Sequence, residues 1–152
     1  MPAPDAPDLL RLDQQLCFPL YAASRLVTRL YQPLLEPLGL TYPQYIVLMI
    51  LWQDAPCAVS RIGERAQLAS NTLTPLLKRL EQGGLVRRER SREDERVVNI
   101  ALTGAGLALR ERCRCIPMQL LGGMDYPVAE LVELKRRLDD LVTHLARLPD
   151  TA

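Results

Sequence analysis

Leucines recur at alternating steps of three and four residues near the end of this chain, and this spacing constrains its fold most strongly. The residues are Leu131, Leu134, Leu138, Leu141, Leu145 and Leu148. Such a heptad pattern predicts a helix whose apolar seam packs against another helix. A second seam, near the start of the chain, runs through Leu12, Leu16, Leu20, Ala23, Val27, Leu30 and Leu34. The small core between the seams cannot cover both. They therefore predict a homodimer held by the terminal helices, with a helical hairpin inside one chain as the alternative.

The length and composition predict a single domain spanning residues 1–152. Apolar residues make up 48% of the chain and charged residues 24%, which is typical of soluble proteins. The longest uncharged run, from Pro37 to Gln53, falls short of the roughly 20 apolar residues that a membrane span requires. The proline-rich and acidic start lacks the basic and apolar regions of a secretory signal. We therefore expect a cytoplasmic protein that does not bind a membrane.

The cysteine spacing argues against metal or dithiol chemistry. Cys17, Cys57, Cys113 and Cys115 include no Cys-x-x-Cys pair, and the chain has one histidine. In a cytoplasmic chain these thiols are expected to be reduced. The sequence thus predicts no metal site and no cofactor. Cys57 follows Ala55-Pro56 and is expected to lie in a loop without a role.

The middle of the chain predicts a helix, a turn, a second helix and a hairpin. The predicted elements are a buried helix 45–52 behind a Thr41/Gln44 capping box, a helix 60–66, a turn 67–69, a helix 70–82 capped by Ser70 and ended by Gly83-Gly84, and strands 85–90 and 96–102. Thr103 is expected to cap a helix 105–121, which Gly122-Gly123 separate from the final helix. Pro19 either kinks the first helix or marks a fresh helical start.

The helix 70–82 has two opposite faces when its residues are placed 100° apart. Its apolar face comprises Leu73, Leu76, Leu77 and Leu80. Its polar face and flanks comprise Ser70, Asn71, Thr72, Thr74, Pro75, Lys78 and Arg79. Such a face is often merely solvated, but the preceding short helix and the following basic hairpin favour a winged helix-turn-helix. The sequence thus predicts a mainly α fold with a small β-hairpin wing, whose second helix enters the major groove of double-stranded DNA.

The loop of the predicted hairpin carries both signs of charge. Arg92 and Arg96 flank Glu93-Asp94-Glu95, and these acids would repel DNA phosphates unless they hold the arginines. We expect Asp94 to orient Arg96, whose guanidinium would enter the narrow minor groove. The alternative is an ordinary exposed charged turn. A dimer would place two recognition helices about 34 Å apart, which implies an inverted-repeat operator.

These residues resemble the MarR family of winged-helix regulators. Asp94-Glu95-Arg96 matches the wing signature of the family, and 73–81 followed by 84–86 match its recognition helix and exit. The stretches 12–25 and 38–45, with Tyr31 between them, resemble the organic-hydroperoxide-sensing OhrR group. The similarity covers roughly residues 9–112. It implies dimerisation helices at 9–35 and 104–148 and a DNA-binding lobe at 41–102.

The resemblance implies a repressor that releases a peroxide-detoxification gene when organic hydroperoxide oxidises its N-terminal cysteine. By position the sensor is Cys17, and its tyrosine partners are Tyr21, Tyr31 and Tyr42. These residue types suit the chemistry, because a thiolate attacks the peroxide and phenols donate hydrogen bonds without adding negative charge. A helix starting at Pro19 would add its positive end to the stability of the thiolate.

The spacing of the tyrosines predicts a contact between subunits. Tyr31 lies fourteen residues from Cys17, about 21 Å along a helix, so it would reach a sensor thiol only from the other subunit. Some members of the resembled group trap the oxidised sensor with a second cysteine, near position 122 of this chain. Cys113 and Cys115 are candidates for that resolving thiol, and a low-molecular-weight thiol is the alternative.

Two rival functions remain at this point. The first is a MarR-type regulator that responds to a phenolic or metal ligand. Cys113 and Cys115 are the only residues that specifically support this hypothesis. A thiol peroxidase would need an acid-base partner and a resolving pair, which the sequence does not offer. We therefore expect no enzymatic activity.

Overall fold

Seven α-helices and three short strands form residues 8–149, the part of the chain that the computed structural model describes. They are α1 (Cys17–Leu35), α2 (Tyr42–Asp54), β1 (Cys57–Ala58), α3 (Val59–Ala66), α4 (Ser70–Gln82), β2 (Val86–Arg90), β3 (Val98–Leu102), α5 (Gly104–Cys113), α6 (Ile116–Met124) and α7 (Val128–Leu145). Short 3-10 helices, Leu12–Gln14 and Glu36–Leu38, lie before and after α1. The chain divides after Arg114 into two compact units. The predicted mainly helical fold with a hairpin wing is confirmed.

Helix α2 forms the centre of the first unit. Val47, Leu48 and Leu51 on this helix are almost fully buried. Its start is fixed by the predicted capping box, in which Thr41 N–H donates to the Gln44 side chain at 2.9 Å and Gln44 N–H donates to the Thr41 hydroxyl at 3.4 Å. The predicted buried scaffold helix 45–52 is therefore confirmed, but it begins three residues earlier, at Tyr42, and ends two residues later, at Asp54.

The wing belongs to a three-stranded antiparallel sheet in the order β1-β3-β2. Strands β2 and β3 pair along their whole length, from Val86 opposite Leu102 to Arg90 opposite Val98. Strand β2 begins one residue later than predicted, and β3 begins two residues later. The expectation that Cys57 lies in a loop is wrong, because Cys57 pairs with Ile100 in β1. A two-residue strand that pairs more than forty residues away leaves no periodic signal in the sequence.

Proline decides two of the helix boundaries. Pro19 lies in the first turn of α1, which begins at Cys17, so the fresh start and not the kink is observed. The prediction of one continuous helix over 105–121 is wrong. Pro117 has no N–H to donate to the carbonyl of Cys113, and the chain breaks into α5 and α6. Thr103 does cap α5, accepting from Gly106 N–H at 3.1 Å.

The second unit contains α6 and α7. Gly122-Gly123 were expected to separate the last two helices, but both lie inside α6. The helix instead ends at Asp125, which adopts a left-handed conformation with φ of 46°. One side of α7 carries ion pairs such as Arg136–Glu133 at 2.9 Å and Arg137–Glu133 at 2.8 Å. Several of its apolar side chains, including Val132 and Leu145, are exposed.

Within residues 8–149, no single helix has both the length and the apolar character needed to cross a bilayer. Only α1 with the following turn, taken together with α2, meets that requirement, and the two parts are bent by 74°.

Candidate nucleic-acid interface and redox site

Helix α4 has one buried and one exposed face. Leu73, Leu77 and Leu80 are almost completely buried. The residues that the sequence assigned to the polar face are all exposed: Ser70, Asn71, Thr72, Thr74, Pro75, Lys78 and Arg79. Because Pro75 has no N–H, the carbonyl of Asn71 lacks its helical donor and remains available as an acceptor. The exposed face therefore combines hydrogen-bonding groups with two cations.

The first turn of α4 differs from the prediction. Ala69, and not Ser70, is the N-cap, and no side chain caps the helix. The Ala69 carbonyl accepts hydrogen bonds from the N–H groups of Thr72 and Leu73, both at 3.0 Å. Since Ser70 already has helical geometry, its hydroxyl is not used for capping. The N–H groups of Ser70 and Asn71, the first two residues of the helix, lack helical acceptors, which suits an anion such as a phosphate.

The loop between β2 and β3 is ordered by short-range hydrogen bonds. The Ser91 hydroxyl accepts from the N–H groups of Glu93 and Asp94, at 3.2 and 3.4 Å. Asp94 Oδ1 accepts from the backbone N–H of Arg96 at 3.0 Å. Asp94 thus holds Arg96 through the backbone N–H, and within residues 8–149 no ion pair joins its carboxylate to the Arg96 guanidinium. The carboxylate holds the backbone of the turn, which an Asp-x-Arg spacing favours.

The basic residues around the wing fall into two groups. Arg87 is paired with Glu89 at 2.6 Å, and Arg88 with Glu81 at 3.4 Å. Within residues 8–149, the guanidinium groups of Arg92 and Arg96 form no ion pair, and both side chains are exposed. Lys78, Arg79 and Arg90 are likewise outside the ion pairs of this part of the chain. The positive charge available to a partner thus lies on the polar face of α4 and on the wing tip.

Helix α3 is fixed to the end of α2 by a charged contact that the sequence analysis missed. Arg65 donates to Asp54 at 2.8 Å and to the Gln53 side chain at 3.0 Å. Arg61 lies 3.7 Å from the same carboxylate. Asp54 and Arg65 are eleven residues apart across a turn, so no spacing rule identifies the pair. The contact orients α3, which precedes α4.

Cys17 is the first residue of α1, and its side chain is exposed. The N–H groups of its first turn have no acceptor within the helix, as in any α-helix, and no side chain caps this one. The thiol therefore lies at the positive end of a helix of 19 residues.

Tyr21 lies one helical turn beyond Cys17, and Arg25 lies one turn further. Arg25 Nη1 donates to the Tyr21 hydroxyl oxygen at 3.2 Å, and the guanidinium carbon is 5.5 Å from the centre of the ring. Because the phenol oxygen accepts this bond, its own proton remains available for donation. Tyr21 is 60% exposed, which leaves that proton accessible.

Tyr31 and Tyr42 contact each other and not Cys17 of their own chain. Their rings are stacked with centres 4.5 Å apart, and Tyr45 lies 5.7 Å from Tyr31. Tyr31 is on the same unbroken helix as Cys17, fourteen residues away, or about 21 Å along the axis. Burial, with the neighbouring phenols Tyr42 and Tyr45, raises the pKa of Tyr31 to about 12. Burial also raises the pKa of Tyr42. Both phenols therefore keep their protons at neutral pH and are able to donate hydrogen bonds.

The remaining thiols differ in accessibility. Cys113 is buried in the first unit, and Cys115 is exposed in the second. Cys57 is half-buried, and its pKa is raised by burial and by the negative charge of Asp54. The thiolate of Cys57 is therefore disfavoured, which makes it a poor nucleophile.

An open cavity of about 670 Å³ lies beside the tyrosine cluster. It is lined by residues of α1, the turn that follows and the start of α2, including Thr28, Arg29, Gln32 and Tyr42. No group of three or more metal-ligating side chains was found within residues 8–149.

Comparison with known proteins identifies the family of this chain. A family model described as transcriptional regulator SarA/Rot matches residues 29–111. The organic hydroperoxide resistance transcriptional regulator of Bacillus subtilis is 47% identical over 138 residues, which is 91% of this chain and 94% of that protein. The chain belongs to the MarR-type winged-helix regulators, in the organic hydroperoxide resistance group.

Solved structures of AbfR are also similar to the regulator. The crystal structure of AbfR of Staphylococcus epidermidis has a TM-score of 0.75 and 38% identity, covering 93% of this chain and 97% of that one. Reduced AbfR bound to DNA gives a TM-score of 0.71 at 38% identity, covering 91% and 96%. A disulfide form of AbfR gives 0.61 at 40% identity, covering 89% and 95%. The regulator thus shares its winged-helix fold with a protein known in reduced, DNA-bound and oxidised forms.

Two aromatic residues that the sequence of the regulator does not assign to the site extend the tyrosine cluster. The Tyr45 ring lies edge-on to Trp52 with centres 6.3 Å apart. Trp52 Nε1–H donates to the carbonyl of Gly106 at 2.9 Å. Both residues were assigned to the core of a scaffold helix. Their spacing of seven residues puts them on one face of α2, but the partner at Gly106 is visible only in the folded protein.

Proposed function

We propose that the regulator is a homodimeric repressor that binds an inverted-repeat operator in double-stranded DNA. The polar face of α4 would enter the major groove, with contacts from Ser70, Asn71, Thr72, Thr74, Pro75, Lys78 and Arg79. The wing tip would bring Arg92 and Arg96 to the adjacent minor groove, with the turn held by Asp94. The absence of carboxylate partners for these two arginines within residues 8–149 supports this assignment, as does the DNA in the reduced AbfR structure.

The apolar surface of the terminal helices supports the dimer. Leu16, the N-cap of α1, and Leu20 on α1 are exposed, as are Leu134 and Leu145 on α7. An apolar surface of this kind is uncommon on a monomer and is typical of an interface. A second copy of the chain would bury these side chains and align two α4 helices with successive major grooves.

The signal that we propose is an organic hydroperoxide, and the sensor is Cys17. The Cys17 thiolate attacks the outer oxygen of the peroxide, the O–O bond breaks, and the alkoxide leaves as an alcohol after taking a proton. The products are a cysteine sulfenic acid and the alcohol. Tyr21 on the same helix is a suitable proton donor, and Tyr31 and Tyr42 of the second subunit would donate to the sulfur. The observation that carries this proposal is the exposed Cys17 at the start of α1, in a chain 47% identical to an organic hydroperoxide regulator.

Oxidation would release the DNA by displacing the partner tyrosines. A sulfenic acid is larger and more polar than a thiol. Its oxygen needs space in the interface, and Tyr42 is the first residue of α2, the scaffold of the DNA-binding lobe. Movement of α2 would change the spacing of the two recognition helices, so that both half-sites can no longer be bound at once.

The oxidised sensor would then condense with a second thiol. Exposure favours Cys115 over Cys113 for this step, and a low-molecular-weight thiol is the alternative. We further propose that the protein is a stoichiometric sensor and not a peroxidase, and that it acts in the cytoplasm. Rapid, sustained consumption of hydroperoxide in the presence of a thiol reductant would contradict the stoichiometric role.

The experiment that tests this function measures operator binding by fluorescence anisotropy, using a duplex obtained by in vitro selection with the reduced protein. Cumene hydroperoxide should release the wild-type protein, and a thiol reductant should restore binding. Cys17→Ser should bind the same duplex but resist release. Cys57→Ser, which removes a half-buried thiol of the same compact unit, should behave as the wild type. Release of Cys17→Ser by hydroperoxide would refute the proposal.

A small phenolic ligand is the second candidate signal, because the cavity beside Tyr42 is large enough for one. Salicylate in place of cumene hydroperoxide tests it with the same duplex. Release by salicylate in Cys17→Ser, together with resistance to hydroperoxide in the wild type, would favour the ligand over the peroxide.

A further inference from the structure

Three segments of the first unit meet around Gly106, at a place that we call the junction (Trp52, Gly84, Leu85, Thr103 and Gly106). Trp52 Nε1–H donates to the Gly106 carbonyl at 2.9 Å. The Thr103 hydroxyl donates to the Gly84 carbonyl at 2.6 Å, and Thr103 N–H donates to the Leu85 carbonyl at 3.1 Å. The junction thus joins α2, the exit of α4, the base of the wing and the start of α5.

The junction is tightly packed at its centre. Gly106 is buried, and a Cβ atom at this position would overlap the Leu85 carbonyl oxygen. Gly84 adopts a φ of 72°, and Leu85 N–H donates back to the Leu80 carbonyl at 3.0 Å, so the chain leaves α4 in one defined path. A displacement of α5 relative to α2 at this point therefore moves the end of α4 and the first residue of β2.

Aromatic rings connect the junction to the tyrosines of the sensing site. Tyr31 is stacked on Tyr42 with centres 4.5 Å apart and lies 5.7 Å from Tyr45. The Tyr45 ring is 6.3 Å from that of Trp52. Tyr45 is buried and so has little room to move without moving its neighbours. The rings form a continuous packed row from Tyr42 to the indole.

We propose that Trp52 is the positioning residue that couples the sensing tyrosines to the DNA-reading elements. The inference rests on the proposed function, since it names how displacement of Tyr42 reaches α4 and the wing. The indole does this through one directed bond, from its N–H to the Gly106 carbonyl. Ring packing alone would move α2, whereas this bond carries the movement across to α5 and the exit of α4.

The test uses the fact that the chain contains one tryptophan. Growth of a tryptophan auxotroph on 3-benzothienylalanine replaces the indole N–H of Trp52 by sulfur and changes no other residue. 5-Fluorotryptophan keeps the N–H and is the matched control. The protein is the full-length chain, the duplex is the one selected with the reduced wild type, and the oxidant is cumene hydroperoxide. A dimedone probe follows sulfenic acid formation at Cys17.

We expect the reduced benzothienyl protein, which lacks the indole N–H, to bind the duplex with a dissociation constant within about twofold of the wild type. Its Cys17 should be oxidised at the wild-type rate. The ratio of oxidised to reduced dissociation constants should fall about three- to tenfold, the range expected for one hydrogen bond. The 5-fluorotryptophan protein should keep the wild-type ratio. Trp52→Phe, which retains an aromatic ring against Tyr45, should repeat the loss.

An unchanged ratio in the benzothienyl protein, or weak binding already in its reduced state, would overturn the inference. The second result would mean that the N–H maintains the DNA-binding form and does not couple it to the sensor. Failure of the proposed function is distinguishable, because wild-type protein would then keep its duplex after Cys17 has reacted.

Discussion

The wing tip provides a sharp test, because the same carboxylate has two opposing effects on DNA binding. Asp94 Oδ1 accepts the Arg96 N–H at 3.0 Å and so holds the turn that presents the Arg96 side chain. Its negative charge also repels the phosphates that this side chain would approach. Replacing Asp94 by Ala removes both effects, whereas Asp94→Asn removes the charge and keeps an acceptor oxygen at the same place.

The magnitudes decide which effect wins. Losing a hydrogen bond between a side chain and the backbone of an exposed turn costs about 1 kcal/mol, by analogy with the loss of a helix cap. A carboxylate about 8 Å from a phosphate in water is repelled by about 0.5 kcal/mol, and salt reduces this further. Asp94→Ala should therefore weaken operator binding by about 0.5–1 kcal/mol, or two- to fivefold. Asp94→Asn should stay within about twofold of the wild type.

Fluorescence anisotropy at physiological ionic strength measures these differences, with Arg96→Ala as the reference. Loss of the arginine should cost about 1–3 kcal/mol, more than loss of the residue that only positions it. Tighter binding by Asp94→Ala would show that repulsion dominates and would refute the positioning role. A loss larger than that of Arg96→Ala would refute it as well, because a supporting hydrogen bond cannot contribute more than the contact it supports.

Two further predictions concern stability. Gly106→Ala should lower the free energy of unfolding, measured by urea denaturation, by about 1–3 kcal/mol, because its Cβ would overlap the Leu85 carbonyl. Gly122→Ala is the control, because a Cβ at that position meets no atom within 4 Å. It should leave stability unchanged or raise it by up to about 1 kcal/mol. Equal effects of the two changes would contradict the close approach at Gly106. Between the unfolded pKa of 10.0 and the folded pKa of about 12, Tyr31 keeps a proton that the unfolded chain has lost, so stability should fall as pH rises through this window. Tyr31→Phe should reduce that fall, and a Tyr31 phenol titrating near 10 in ultraviolet absorbance would disprove the shift.

Elements fixed by neighbouring residues could be predicted from the sequence. Thr41 and Gln44 cap α2 as expected, and Thr103 caps α5, because each cap joins a side chain to a backbone group three residues away. The buried leucines of α4 follow from helical periodicity alone. The surface residues of the α4 face follow from the same rotation, although their contacts with DNA stay a prediction.

Features that depend on distant partners could not be predicted. Strand β1 exists because Cys57 meets Ile100, and nothing in the local sequence indicates it. The same holds for the bond from Trp52 to Gly106, which joins residues 54 positions apart. Asp94 illustrates a different limit. The charge pattern identified the residue as a holder of Arg96, but only the backbone geometry shows that it holds the N–H and not the guanidinium.

The central position of β3 in the sheet separates the firmly paired base of the sheet from the loop at the wing tip. Asn99 and Ile100 are paired on both sides, with β1 and with β2, while the loop that joins Arg90 to Val98 extends beyond the last paired residues of the sheet. That loop can be lengthened, shortened or exchanged without disturbing the base of the sheet. The proposed DNA contacts of the wing tip can thus change while the base of the sheet and the proposed sensor on α1 stay as they are.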